Sequence, residues 1–197
     1  NGMVHVRGNA KDFDNWGQLG LTDWTYDKVL PYFKKSESIE GLDSNFRGES
    51  GPLKLSRSPN GNILSQVYLN AAQQAGYQIN NDMNGERQEG FGLMDTTIFN
   101  GKRQSTSVTY LHPIKHRSNL EILTNVTVNK ILFENKKAVG VECKANGENK
   151  KYFSSKEVLL SAGAINSPQL LMLSGIGPEN ELSKYSIEPV ECLEGVG

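Results

Sequence analysis

Gly163-Ala164-Ile165-Asn166-Ser167-Pro168-Gln169-Leu170-Leu171-Met172-Leu173-Ser174-Gly175-Ile176-Gly177 is the stretch on which the reading of the fold turns. Just before it, Val158-Leu159-Leu160 is the short apolar run of a buried strand. Ala162-Gly163-Ala164 is small enough for a tight turn. Ser167 is expected to cap the free amides of a helix, and Pro168 fits the first helical position, where no amide donor is needed. Residues 169–173 continue that helix and Ser174-Gly175 close it. Strand, glycine turn and helix start make an α/β crossover edge, where exposed amides can face an anionic or polar ligand at the end of a sheet. Plain helix–strand packing uses the same residues, and physics alone leaves both readings open.

Upstream the hydrophobic period changes to two. Residues 120–123, 126–133 and 138–145 are β-rich, and Val139, Val141 and Cys143 share a face. Glu134-Asn135-Lys136-Lys137 reads as a turn, so an antiparallel hairpin is expected, with a third strand after Gly147 running through Tyr152-Phe153. A short helix around residues 105–111 is expected to end before Pro113. Residues 77–103 read as loop, because Gly85, Gly90, Gly92 and Gly101 are too frequent for a regular element. Before them Ile63, Leu64, Val67, Tyr68, Ala71, Ala72 and Ala75 recur on one helical face, and Gly76 supplies the stop. Residues 38–61 read as an extended connection. From Asp12 to Glu37 the chain is aromatic and helix-like. Pro31, which lacks an amide donor, is expected to interrupt or kink the second helix there.

Over 197 residues, 21 Lys and Arg nearly balance 22 Asp and Glu, for a net charge of -1. That balance excludes the basic footprint of a general nucleic-acid binder. Charged residues at 22% with both signs interspersed argue against disorder, while a hydrophobic share of 37% calls for much loop or surface. No apolar run approaches the roughly 18 residues of a membrane-spanning helix. Cys143 and Cys192 stand far apart and outside any CxxC pair, so free thiols are expected.

Several catalytic patterns are missing: GxGxxG, the P-loop lysine motif, GxSxG and HExxH. Gly90-Phe91-Gly92 and Gly175-Ile176-Gly177 hold only half of a dinucleotide fingerprint and read as turns. His112 and His116 are separated by Pro113 and lack a carboxylate to complete a set, so no metal is expected. His5, between Val4 and Val6, reads as a strand residue. The pairs Asp12 and Asp14, and Glu188 and Glu191, read as solvated charges. Trp16 and Trp24 can cage a cation or simply pack. No acid–base pair or nucleophile stands out.

Residues 163–177 nevertheless resemble a signature of the glucose–methanol–choline (GMC) flavoprotein oxidoreductases. Two further matches support it: Asn1-Gly2-Met3-Val4 with Val6-Arg7-Gly8-Asn9 and Asp12-Phe13-Asp14-Asn15-Trp16, and Glu89-Gly90-Phe91-Gly92-Leu93-Met94-Asp95 with Arg103-Gln104-Ser105-Thr106. Their order and spacing are more similar to the choline-oxidising members than to the glucose-oxidising ones. The resemblance implies an α/β mixture: part of a GMC-type FAD-binding domain, with an antiparallel hairpin region, plus part of the substrate domain. It assigns residues 1–37 to a flavin-proximal lid, 38–105 to the substrate domain and 106–197 to the FAD-binding domain, with soft, interleaved boundaries. It implies oxidation of a primary alcohol by hydride transfer to FAD, choline to betaine aldehyde first and an aliphatic or aromatic alcohol second. A non-catalytic α/β binding module is the competing reading.

Carried over by position, Asn1, Gly2 and Met3 would lie near the isoalloxazine ring. Val128 would meet the adenine through its backbone, and Ser161, Ala162 and Gly163 would line the adenosine side. The family's pyrophosphate-gripping glycines and its catalytic-histidine region have no counterpart in this sequence. His5, His112 and His116 match none of the catalytic positions, so no catalytic residue is assigned. The chain is therefore expected to be an internal fragment that does not hold FAD tightly or turn over alone. A small-molecule alcohol is the expected partner, with the electron acceptor and oligomeric state open. The expected location is cytoplasmic, with peripheral association at the inner membrane as the other possibility for the parent.

Overall fold

The structure, a computed structural model, describes residues 2–57 and 62–197. Two compact units divide the chain, Asn1–Leu120 and Glu121–Gly197.

In the first unit β1 (Val4–His5) leads to α1 (Ala10–Gln18), a 3-10 turn (Thr22–Trp24) and α2 (Tyr26–Ser36). Asn9 opens α1 by accepting the Lys11 amide at 3.0 Å. Asp14, read as a solvated charge, instead accepts the Tyr26 amide at 3.0 Å and so supplies the cap that Thr25 does not give α2. Phe13 of α1 meets Phe33 of α2 edge-on, with centroids 5.6 Å apart. Pro31 sits inside α2 and does not interrupt it. The proline removes only the donor that would serve the Asp27 carbonyl, and packing of the aromatic face offsets that loss.

β2 (Glu37–Ser38) pairs in parallel with β3 (Leu53–Lys54), and β4 (Ser56–Arg57) follows directly. The described part of the expected connection thus carries strand pairing. α3 (Ile63–Gln74) ends where expected, with Gly76 at φ +87°. Its apolar face lies open: Ile63 is 73% and Leu64 71% exposed, and Ala72 is its one buried residue. β5 (Asp95–Thr96) runs antiparallel between β1 and β4. β6 (Ile98–Phe99) and β7 (Lys102–Arg103) form a hairpin. These strands occupy sequence read as loop. The helix expected before Pro113 is a π turn, Ser107–Leu111, that runs on into a 3-10 turn, His112–Ile114, containing the proline. Pro113 stands at the second position of that turn, where its missing donor costs nothing.

The second unit opens on the expected meander: β8 (Val126–Glu134), β9 (Lys137–Ala145) and β10 (Glu148–Phe153), all antiparallel. Asn135 and Lys136 at φ +49° and +63° make the first tight turn, and Asn146 with Gly147 at +52° and +85° the second. Cys143, fully buried, and Ile131, 4% exposed, anchor the sheet. Neither residues 120–123 nor Val158-Leu159-Leu160 form strands. Leu159 is 83% exposed, and the run has no ladder partner among the described residues, without which an extended segment is not a strand. α4 (Asn166–Leu173) packs on β8 and is followed by β11 (Ile176–Gly177), α5 (Glu179–Lys184) and β12 (Glu191–Cys192). β11 and β12 pair in parallel.

Candidate cofactor segments and the buried charges behind one of them

In the second unit the candidate residues sit on β8 and on the approach to α4. β8 is the edge of its sheet, beside β9 and away from β10. Val128 faces Cys143 in the ladder, and the register then slips before Lys130, leaving Asn129 without an opposite residue. A bulge of this kind re-aims backbone groups beside it. Val128 itself is 39% exposed.

Ser161, Ala162 and Gly163 form an exposed turn tied to the start of α4. Ser167 does not cap the helix. Its Oγ accepts the Ala162 amide at 3.1 Å, while its own amide donates to the Gly163 carbonyl at 3.0 Å. The serine closes the turn in front of the helix, and Pro168 falls at the third helical position rather than the first. Gly163 holds φ +96°, a conformation costly to any residue with a Cβ, and nothing lies within 4 Å of where a Cβ would stand. At the other end of α4, the fully buried Ser174 accepts the Ile131 amide at 2.8 Å and donates to the Leu170 carbonyl at 2.6 Å, locking the helix onto β8. One helix thereby couples the strand that carries Val128 to the turn that carries Gly163.

In the first unit, Asn1 lies outside the described residues. Gly2 is exposed with open space around it. Met3 takes a left-handed backbone, φ +66°, and its carbonyl accepts the Thr97 amide at 2.8 Å. Directly after it comes a charge cluster that no motif announces. Glu37, at the C-terminal end of α2, has no exposed surface. It receives Arg7 Nη2 at 2.8 Å, Arg47 Nε at 2.8 Å and the Gly48 amide at 3.1 Å, and His5 Nε2 lies 3.0 Å from its other oxygen. Arg47 also pairs with Asp82 and Asp95, and Arg57 with Asp95. Asn84 donates to the His5 carbonyl and Asp95 and accepts the Arg7 amide.

Burial alone would raise the Glu37 carboxyl, but hydrogen bonds from His5, Arg47 and the Gly48 amide, with the charge of Arg7, outweigh it and hold the group at about 2. Burial likewise disfavours the Arg47 cation, and Glu37, Asp82 and Asp95 more than restore it. Sequence reasoning missed this cluster because its bonded partners lie from 10 to 79 residues apart, with no period to mark them. His5 is a strand residue as expected, yet its ring belongs to the cluster.

Among the described residues no group of His, Cys, Asp and Glu could hold a metal ion, and no helix is long and apolar enough to cross a membrane. Cys143 is a buried free thiol and Cys192 an exposed one.

Comparison with known proteins agrees with this architecture. Human mitochondrial choline dehydrogenase is 50% identical over the whole chain, which spans 33% of that protein's length. The oxygen-dependent choline dehydrogenase of Brucella anthropi is 44% identical over the whole chain and 36% of its own length. An FAD-dependent oxidoreductase from Chaetomium thermophilum superposes with a TM-score of 0.88 at 31% identity, over 100% of this chain and 37% of that one. Pyridoxine 4-oxidase from Mesorbium loti also gives 0.88, at 26% identity, over 98% of this chain and 38% of its own. The chain thus spans about a third of the relatives it matches. A model of the GMC oxidoreductases matches residues 1–193, so the chain belongs to the GMC oxidoreductase family, whose members act on CH–OH groups.

Proposed function

We propose that the protein carrying this chain is an FAD-dependent dehydrogenase of primary alcohols, with choline, converted to betaine aldehyde, as its substrate. The observation that carries the reading is 50% identity, without a gap in coverage, to a choline dehydrogenase. The residues present suit the cofactor. Nothing stands within 4 Å of where a Cβ of Gly163 would be, and the register shift beside Val128 leaves Asn129 unpaired on an edge strand. In this reading Val128 meets the adenine, Ser161, Ala162 and Gly163 line the adenosine side, and Asn1, Gly2 and Met3 face the isoalloxazine ring. Bound FAD supplies the hydride acceptor. The chain's own residues bind and orient, and none is assigned the hydroxyl proton.

In the domain assignment that goes with it, residues 1–37 form a flavin-proximal lid, 38–105 belong to the substrate domain and 106–197 to the FAD-binding domain. The test is steady-state oxidation by the full-length enzyme. A kcat/KM for choline well above that for simple primary alcohols is expected. Equal or better turnover of uncharged alcohols would remove choline and leave the family's broader alcohol chemistry.

A further inference from the structure

The buried charges lie immediately behind the segment assigned to the flavin. β1 contains only two ladder residues, Val4 against Thr96 and His5 against Asp95, too few to hold a backbone by themselves. It is nevertheless fastened at every step. The Met3 carbonyl takes the Thr97 amide, Asn84 bridges the His5 carbonyl and the Arg7 amide, and Gln88 Nε2 donates to the Arg7 carbonyl at 2.7 Å. The side chains of His5 and Arg7, two apart and so on one side of an extended chain, both end on Glu37. Just before the strand Met3 takes a left-handed conformation, which persists only where its surroundings over-determine it.

Stability alone does not account for such an arrangement. Breaking a buried ion pair is costly, yet apolar residues of the same volume are often as stable, and in some proteins what the charges add is a defined geometry. We propose that the Glu37 cluster is a positioning unit for the flavin: through His5 and Arg7 it sets the backbone of Gly2 and Met3 against the isoalloxazine ring. This rests on the reading that Gly2 and Met3 face the flavin. The residues of the cluster touch neither cofactor nor substrate; they act through β1.

The experiment uses the full-length holoenzyme. His5→Leu severs the link from β1 while leaving Glu37 its two arginines, and His5→Gln keeps a donor toward Glu37. Gly2→Val adds a side chain where this chain has open space, so any change in the flavin reports contact with the flavin itself. Ala72→Gly weakens α3 and serves as a purely structural control. The readouts are the visible flavin bands, the flavin midpoint potential, and kcat against KM.

For His5→Leu, shifted bands and potential are expected, with kcat lower by about ten- to a hundredfold and KM within about twofold. His5→Gln should restore most of each, and Ala72→Gly should lower the melting temperature alone. Shifted bands in Gly2→Val with an unchanged flavin in His5→Leu, or no rescue by His5→Gln, overturns the positioning role. An unchanged flavin in Gly2→Val overturns the placement of Gly2 and Met3, and the proposal with it. If His5→Leu does not fold, Arg7→Lys takes its place: a shifted flavin supports the positioning role and an unchanged one overturns it. Lysine keeps the charge there but loses the forked contacts to Glu37, Phe46 and Asn84.

Discussion

Glu37 concentrates the energetics of the first unit. Its carboxyl titrates near 4.5 without the fold and at about 2 within it. A depressed carboxylate contributes stability that is whole above the unfolded value and is lost as pH falls through the folded one. The difference corresponds to about 3 kcal/mol. The denaturation midpoint of the full-length protein is therefore expected to fall between pH 4.5 and about 2, and Glu37→Gln should flatten that part of the profile. An unchanged slope in the variant would assign the acid sensitivity elsewhere. At neutral pH the variant leaves Arg7 and Arg47, 5% and 1% exposed, facing a neutral amide, so it should also be less stable there.

Between elements, the decisive contact is a single hydroxyl. Ser174 joins the last turn of α4 to the buried amide of Ile131 in β8. Ser174→Ala strands that donor, at a cost of about 1–3 kcal/mol, and should speed exchange of the Ile131 amide measured by NMR. If Ile131 exchange does not change, α4 is docked by its apolar contacts alone. The same scale explains what the sequence makes legible. Asn135-Lys136 and Asn146-Gly147 encode their turns locally, so the β8–β9–β10 meander can be read from them. The 3.6-residue period likewise marks α3. Val158-Leu159-Leu160 misleads because an apolar run becomes a strand only when a distant segment offers a ladder. Ser167 misleads in direction, since the same hydroxyl can cap the helix behind it or the turn in front of it. Candidate cofactor residues are legible only through the family signature, and the charges around Glu37 have no local signal at all.

Over the whole chain, apolar surface is the outstanding feature. Besides Ile63 and Leu64, Leu19 is 82%, Ile165 82% and Leu159 83% exposed. Neighbouring exposed apolar residues, as Ile63 and Leu64 on α3, offer surface that further polypeptide or a partner can cover. The chain purified alone is expected to bind a hydrophobic dye and to carry less than one flavin per chain. A colourless full-length enzyme, or a chain that is yellow in stoichiometric amount and blind to the dye, would contradict this. β1 adds a consequence in time. Its ladder partner in β5 lies some ninety residues downstream, Val4 waiting for Thr96. At ribosomal speeds of roughly 5–20 residues per second, β1 stays unpaired for on the order of 5 to 20 seconds after it is made, whereas β8 needs only β9, a tight turn away. During synthesis β1 is therefore left without its ladder far longer than β8.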